Sequence, residues 1–462
     1  MKMFSLFAHP AASLRTWLLC LCALSLPLCA AEETADSSPN AELEQRLTEL
    51  REKANGGDAY SMRQLYLRYE MAGYSDTALV WAQRFLDTLE TKAAEGDATA
   101  VRTLGQIYVS GDGCIPPDTA KAIRWYTKAS DAGDPTAAYL LGELFTAAKD
   151  SDTARLNYAR AYGLYKQKAA EGDADALYRQ GYMEQNGLGT DTDAAAGIAH
   201  LQQAADQGCL PAVYQLFKTY ESGVGTAKDE YAAYLCAKRL ADEAKDAQMA
   251  YLVADTLLKG MGDRLPADRA QAEPYLEQAV NGGVPDALYH KAWLLEEEGK
   301  AAEALSLYRQ AASMNHGGAA VKAGTMLLYG TGGVEKDDSL GLNFLKTASD
   351  RLQHPIAPYE LALYYDSIGE TGLADDWYVT ASDRGLADAM GPRGLLHLNP
   401  FSGQTWSPTE AYRWWHIGAE AGEPTCRRYL QLYLYLFIPL ILVFVFGTPL
   451  ALLRYVMKRK EP

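Results

Sequence analysis

The chain has 462 residues and a formal net charge of −16, with 48% hydrophobic and 22% charged residues. The acidity disfavours nucleic acid as a partner, because phosphates call for a basic surface. Of seven cysteines, Cys20, Cys22 and Cys29 sit in the first segment, which leaves too few for a disulfide-dense scaffold.

Residues 1–31 begin with Lys2 and Arg15, continue through the uncharged run Thr16–Ala31 and end on Ala30 and Ala31. A basic start, a short apolar core and a small-residue exit predict a secretory signal peptide. The core, interrupted by Pro27, falls short of the roughly 20 apolar residues a permanent span needs. Residues 32–56 are polar and acidic and read as a linker.

From residue 57 to residue 426 one unit recurs about every thirty-seven residues, the mark of a solenoid. Gly57, Gly96, Gly133, Gly172 and Gly208 close the early copies, and Gly283, Gly318, Gly385 and Gly422 the later ones. Ala244 and Gln353 occupy the two remaining places. In the clearest copy, Gly96–Gly133, residues Ala100, Leu104, Gly105 and Tyr108 form the apolar stripe of a first helix. Gly111 and Gly113 end it, and Asp118 or Thr119 caps a second helix that buries Ala122, Trp125, Tyr126 and Ala129. One such hairpin cannot bury its apolar face alone, so neighbouring pairs must stack. The expected fold is all-α: a solenoid of about ten helix-turn-helix repeats.

The pattern LG-x-x-Y, then G-x-G, then A-x-x-WY-x-K-A resembles the Sel-one-like repeat, a relative of the tetratricopeptide repeat. Copies in Gly172–Gly208, Pro211–Gly225, Gly318–Gly333 and Ser407–Gly422 carry the resemblance over most of the chain. It implies an α/α superhelix that binds protein partners, often as an adaptor. Some members staple each repeat with a disulfide, but Cys114, Cys209, Cys236 and Cys426 do not recur at repeat spacing. Cys209 and Cys236 share a unit, at the start of one helix and the middle of the other, which suits disulfide geometry poorly.

Nothing in the chain announces chemistry. The glycine pairs Gly111/Gly113, Gly187/Gly189 and Gly223/Gly225 follow helices, whereas a nucleotide loop follows a strand. The histidines His200, His290, His316, His354, His397 and His416 are scattered among different repeats, so no catalytic, metal or cofactor site is expected. A more pointed feature is a column of tyrosines. Tyr139, Tyr178, Tyr214, Tyr251, Tyr289 and Tyr359 share one repeat position, filled elsewhere by Arg102 and Val321. Two readings stand: packing between repeats, or an aromatic stripe for a peptide or glycan.

Tyr429–Leu453 carries no charge and is long enough, at about 1.5 Å per residue, to cross a hydrocarbon layer of about 30 Å. Arg454, Lys458, Arg459 and Lys460 follow in a basic tail, residues 454–462, against only Arg427 and Arg428 on the other flank. That asymmetry predicts a cytoplasmic C-terminus with the solenoid outside, the same topology the signal segment predicts. No asparagine is followed by x-Ser/Thr, which favours a bacterial inner membrane with a periplasmic solenoid over the endoplasmic reticulum, where the namesake of the family is an adaptor. The expected function is a non-catalytic, membrane-anchored scaffold for a protein partner. The alternatives are a periplasmic enzyme on envelope glycan or β-lactam-like substrates and an endoplasmic-reticulum quality-control adaptor.

Overall fold

The computed structural model describes residues 39–399 and 406–437. The expected signal segment, 1–31, and the basic tail, 454–462, lie outside the described residues, as does most of the apolar run 429–453. Among the described residues no helix is long and apolar enough to cross a membrane.

The chain divides into two compact units, with the boundary between Leu164 and Tyr165. The first contains α1 (Pro39–Asn55), α2 (Ala59–Met71), α3 (Ser75–Ala94), α4 (Ala98–Ser110), α5 (Thr119–Asp131), α6 (Pro135–Ala147) and the first part of α7 (Ser151–Ala170). The second continues with α8 (Ala174–Asn186), α9 (Ala194–Asp206), α10 (Leu210–Ser222), α11 (Glu230–Glu243), α12 (Ala247–Lys259) and α13 (Arg269–Asn281). Then come α14 (Pro285–Glu297), α15 (Ala301–Ser313), α16 (Gly317–Tyr329), α17 (Asp338–Asp350), α18 (Ala357–Ser367) and α19 (Thr371–Asp383). The last are α20 (Met390–Leu398), α21 (Pro408–Glu420) and α22 (Pro424–Leu432). Ten helix pairs, from α2/α3 to α20/α21, are present among the described residues. Within each unit a helix packs chiefly on its neighbours in sequence, as a solenoid requires.

Aspartate starts many of these helices. Asp97 accepts from the backbone N–H of Thr99 at 2.8 Å, Asp118 from Lys121 at 3.0 Å and Asp173 from Ala176 at 3.0 Å. Each cap satisfies a donor that the helix cannot, worth about 1 kcal/mol. Asp118, not Thr119, is therefore the cap of α5. Each second helix ends in a turn with a left-handed residue, so that Gly133 takes φ 88° and the Asp134 N–H closes on the Ala129 carbonyl at 3.0 Å.

Three expectations shift. The residue that replaces glycine between α11 and α12 is Lys245, at φ 56°, rather than Ala244. The turn before α16 uses Asn315, at φ 67°, while Gly318 lies inside the helix; asparagine tolerates this region better than other side chains. The supposed linker is helical over Pro39–Asn55, and Leu47, Leu50 and Ala54 pack into the core of the first unit. Their spacing is helical, a pattern that the polar composition around them masks.

In several pairs a small residue on the first helix meets a large one on the second. Gly105 sits under Tyr126, and a Cβ on Gly142 would stand 2.6 Å from the Tyr158 ring. Leu104 and Tyr126 are fully buried, whereas Trp125 stays half-buried beneath Lys128, whose Nζ is 5.2 Å from its ring. Second helices are also stitched together. Arg239 donates to the Ala205 carbonyl at 2.7 Å, Gln278 to Ala241 at 2.9 Å and Arg384 to Ser349 at 3.1 Å. Each closes the C-terminal end of the preceding second helix.

Candidate functional site: the tyrosine register

The tyrosines of the shared repeat position occupy the first helix of their pairs, and their surroundings differ. In the first unit Tyr139 is only 9% exposed and packs edge-on against Tyr158, with centroids 5.4 Å apart. In the second unit the rings emerge. Tyr214 is 41% exposed, with Lys218 Nζ 4.8 Å from its centroid. Tyr178, Tyr251, Tyr289 and Tyr359 are half-buried. Tyr178 lies under the Arg179 guanidinium at 5.2 Å, and Tyr359 tilts against Tyr378 at 6.0 Å. Of the non-tyrosine occupants, Arg102 pairs with Asp134 at 3.5 Å and Val321 is buried.

Two core tyrosines spend their hydroxyls on carboxylates, although the fully buried Tyr378 hydroxyl has no partner. Tyr308 is fully buried and donates to Glu296 at 2.9 Å, where Lys322 also binds at 3.1 Å. Tyr66 is buried against Asp112, whose carboxylate also takes Arg63 Nε at 2.6 Å. By contrast, the hydroxyls of Tyr178, Tyr214, Tyr251, Tyr289 and Tyr359 bond to no other group among the described residues. Partial burial pushes the Tyr251 phenol up to about 12, helped by Asp255 and Asp286, and raises Tyr178 and Tyr359 in the same direction. All three rings therefore remain neutral donors at physiological pH.

At Tyr289 the register is built differently. The His316 ring stacks on it, 4.7 Å between centroids and 25° between planes. His316 Nδ1 accepts from the Ala319 N–H at 2.9 Å and so caps α16, while Nε2 lies 3.3 Å from Asp286.

A polar cluster in the α8/α9 pair is absent from the sequence expectations. Gln180 and Glu184 stand where Leu104 and Tyr108 stand in the α4/α5 pair, and His200 where Trp125 stands. Glu184 is buried, accepts from Gln180 at 2.9 Å and holds His200 Nδ1 at 2.6 Å. The neighbouring Gln185 donates separately to Thr219 at 2.8 Å. The signal was present as Gln180-Gly181 in place of Leu-Gly. His200, sixteen positions from Glu184, gives no such signal on its own. The remaining histidines stay apart from this pair, and no cluster that could hold a metal lies among the described residues. Cys114, Cys209, Cys236 and Cys426 are free thiols, and Cys209 Sγ lies 3.3 Å from Asp175.

The Sel1 repeat model matches residues 100–134, 174–209, 210–244, 247–284, 300–316, 318–351 and 389–423. An uncharacterized protein of Neisseria meningitidis serogroup B is 28% identical over 254 residues, which is 54% of this chain and 49% of that protein. HRD3 of Candida glabrata, an ERAD-associated E3 ubiquitin-protein ligase component, is 35% identical over 83 residues, 17% of this chain and 9% of its own length. The chain thus spans about half of one relative and a small part of the other. Among solved structures, c5321, a protective antigen of uropathogenic Escherichia coli displaying an SLR fold, aligns over 84% of this chain and 82% of its own. Its TM-score is 0.57 and its identity 23%, a likeness of fold. With seven matched repeats and stacked helix pairs of this kind, the chain belongs to the Sel1 repeat family.

Proposed function

We propose that this chain is an exported, non-catalytic scaffold that captures a protein partner on the tyrosine register of its second unit and is held at a bacterial inner membrane by residues 429–453. The observation that carries the binding role is the set of five register tyrosines whose hydroxyls are unspent, with Tyr214 the most exposed. Tyrosine offers a large rigid contact area and one polar tip, the combination favoured at interface anchors. Sel1 repeats support the same reading, because their stacked pairs present long surfaces rather than enclosed reaction pockets. The short match to HRD3, a component of a larger ligase assembly, is in keeping with an adaptor.

Export and anchoring rest on the two apolar segments of the sequence. A reporter active only outside the cytoplasm should work when inserted near Gly283 and be inactive when placed after Lys460. Deleting Tyr429 onward should release the solenoid from the membrane fraction. Activity of the reporter only at the Lys460 position would overturn the topology.

A further inference from the structure

A cleft of about 930 Å³ opens in the second unit between the second helices α15 and α17. Its floor is Leu305, Leu340 and Phe344, half-buried, and its rim carries Arg309, Gln310, Asn343 and Arg351. No acidic residue lines it, although the chain as a whole is strongly acidic. Neither Arg309 nor Arg351 has an ion-pair or hydrogen-bond partner among the described residues.

The stitch that joins some second helices is absent at this cleft. At the place where α11 carries Arg239 and α13 carries Gln278, α17 carries Thr347, whose short side chain reaches only Asn343 at 3.4 Å. Ala312 and Ser313, at the C-terminal end of α15, line the cleft. Arg351 aligns with Arg384 of the next second helix, yet Arg384 closes on the Ser349 carbonyl whereas Arg351 stays open toward the cleft. Two unpaired guanidiniums above an apolar floor form a receptor for alternating carboxylates and apolar side chains.

We propose that this cleft binds a short acidic–apolar peptide segment of the partner, its carboxylates on Arg309 and Arg351 and its apolar side chains on Leu305, Leu340 and Phe344. The proposal rests on the scaffold reading and adds a second contact, with its own chemistry, to the tyrosine register. Charge complementarity selects this occupant, because an acidic segment is repelled by most of the remaining surface and attracted here.

The test uses purified full-length chain in detergent and a fluorescein-labelled peptide alternating Glu and Leu, read by fluorescence anisotropy. Saturable binding is expected, weakened about tenfold or more when Gln replaces Glu in the peptide or when Arg309→Gln and Arg351→Gln are combined. Arg309→Glu with Arg351→Glu should reverse the preference toward a Lys–Leu peptide, at an unchanged melting temperature. Absent binding, equal affinity for the Glu and Gln peptides, or an unaltered affinity in the double variant would overturn the cleft assignment. Inorganic phosphate or free glutamate binding as tightly as the peptide would overturn it in favour of a small anion. A photo-crosslinker at position 214 reports on the scaffold reading separately. Crosslinking that persists in a variant whose cleft proposal has failed leaves that reading standing.

Discussion

Gly105 on α4 lies directly beneath the Tyr126 ring on α5, so close that any side-chain carbon there would overlap the ring. Tyr126 is fully buried and cannot swing aside without vacating the core of its pair. Gly105→Ala should therefore destabilise the first unit by about 1–3 kcal/mol, the usual cost of overpacking. Gly163, exposed on α7 with open space around it, supplies the opposite case. Gly163→Ala should stabilise by up to about 1 kcal/mol through helix propensity. Denaturant melts of the two variants check this, and equal effects would refute the packing role of Gly105.

Leu104→Ala should cost about 2–5 kcal/mol, since the side chain is fully buried between α4 and its neighbours. Repeat arrays couple mainly nearest neighbours, so the loss should concentrate around α4 and α5 and fade with distance along the chain. Hydrogen exchange reads this directly. Uniform loss of protection over both units would contradict it.

At Asp112 burial alone raises the carboxyl, but the hydrogen bonds from Arg63 and Tyr66 outweigh it and hold the group below the ordinary carboxylate range. A carboxyl whose folded value lies below its unfolded value of about 4 adds stability above that pH and loses it as pH falls through the folded value. Asp112→Asn should cost about 1–2 kcal/mol at neutral pH, a figure kept low because the Arg63 side chain is 43% exposed. The variant should also lose part of the acid sensitivity of the first unit. Urea melts between about pH 7 and about pH 3 test this, and parallel curves for wild type and variant would refute it.

Much of this fold was legible in the residues. Leu104, Gly105 and Tyr126 announce a close helix pair through size alone, and Gly133 announces the turn that ends it. Lys245 and Asn315 were hidden because turns accept other residues at a modest cost in strain. The tyrosine register was visible as a column, but its meaning was not. Whether a hydroxyl is spent depends on residues far away in sequence, as the Tyr308–Glu296 and Tyr66–Asp112 bonds show. The cleft between α15 and α17 was invisible for the same reason, since residues from two helices well separated in sequence line it.

Tyr178→Ala with Tyr251→Ala should weaken partner capture by about 2 kcal/mol or more for each ring that acts as an anchor. Phenylalanine at both positions keeps the packing and removes only the hydroxyls, so the melting temperature should match wild type. Capture that survives with Phe but fails with Ala, at equal stability, supports anchoring by the ring faces. Capture reduced by Phe as well assigns part of the binding to the unspent hydroxyls. Loss of capture that merely follows loss of stability in the melts would retire the register as a binding surface.

The most direct measurement is site-specific photo-crosslinking in intact cells with a photoreactive phenylalanine analogue in place of Tyr214. Irradiation should give one discrete adduct of higher mass, containing a second protein, while the same probe at exposed Leu156 of the first unit gives none. No discrete adduct at position 214, or equal adducts at both positions, would contradict a partner surface on the tyrosine register.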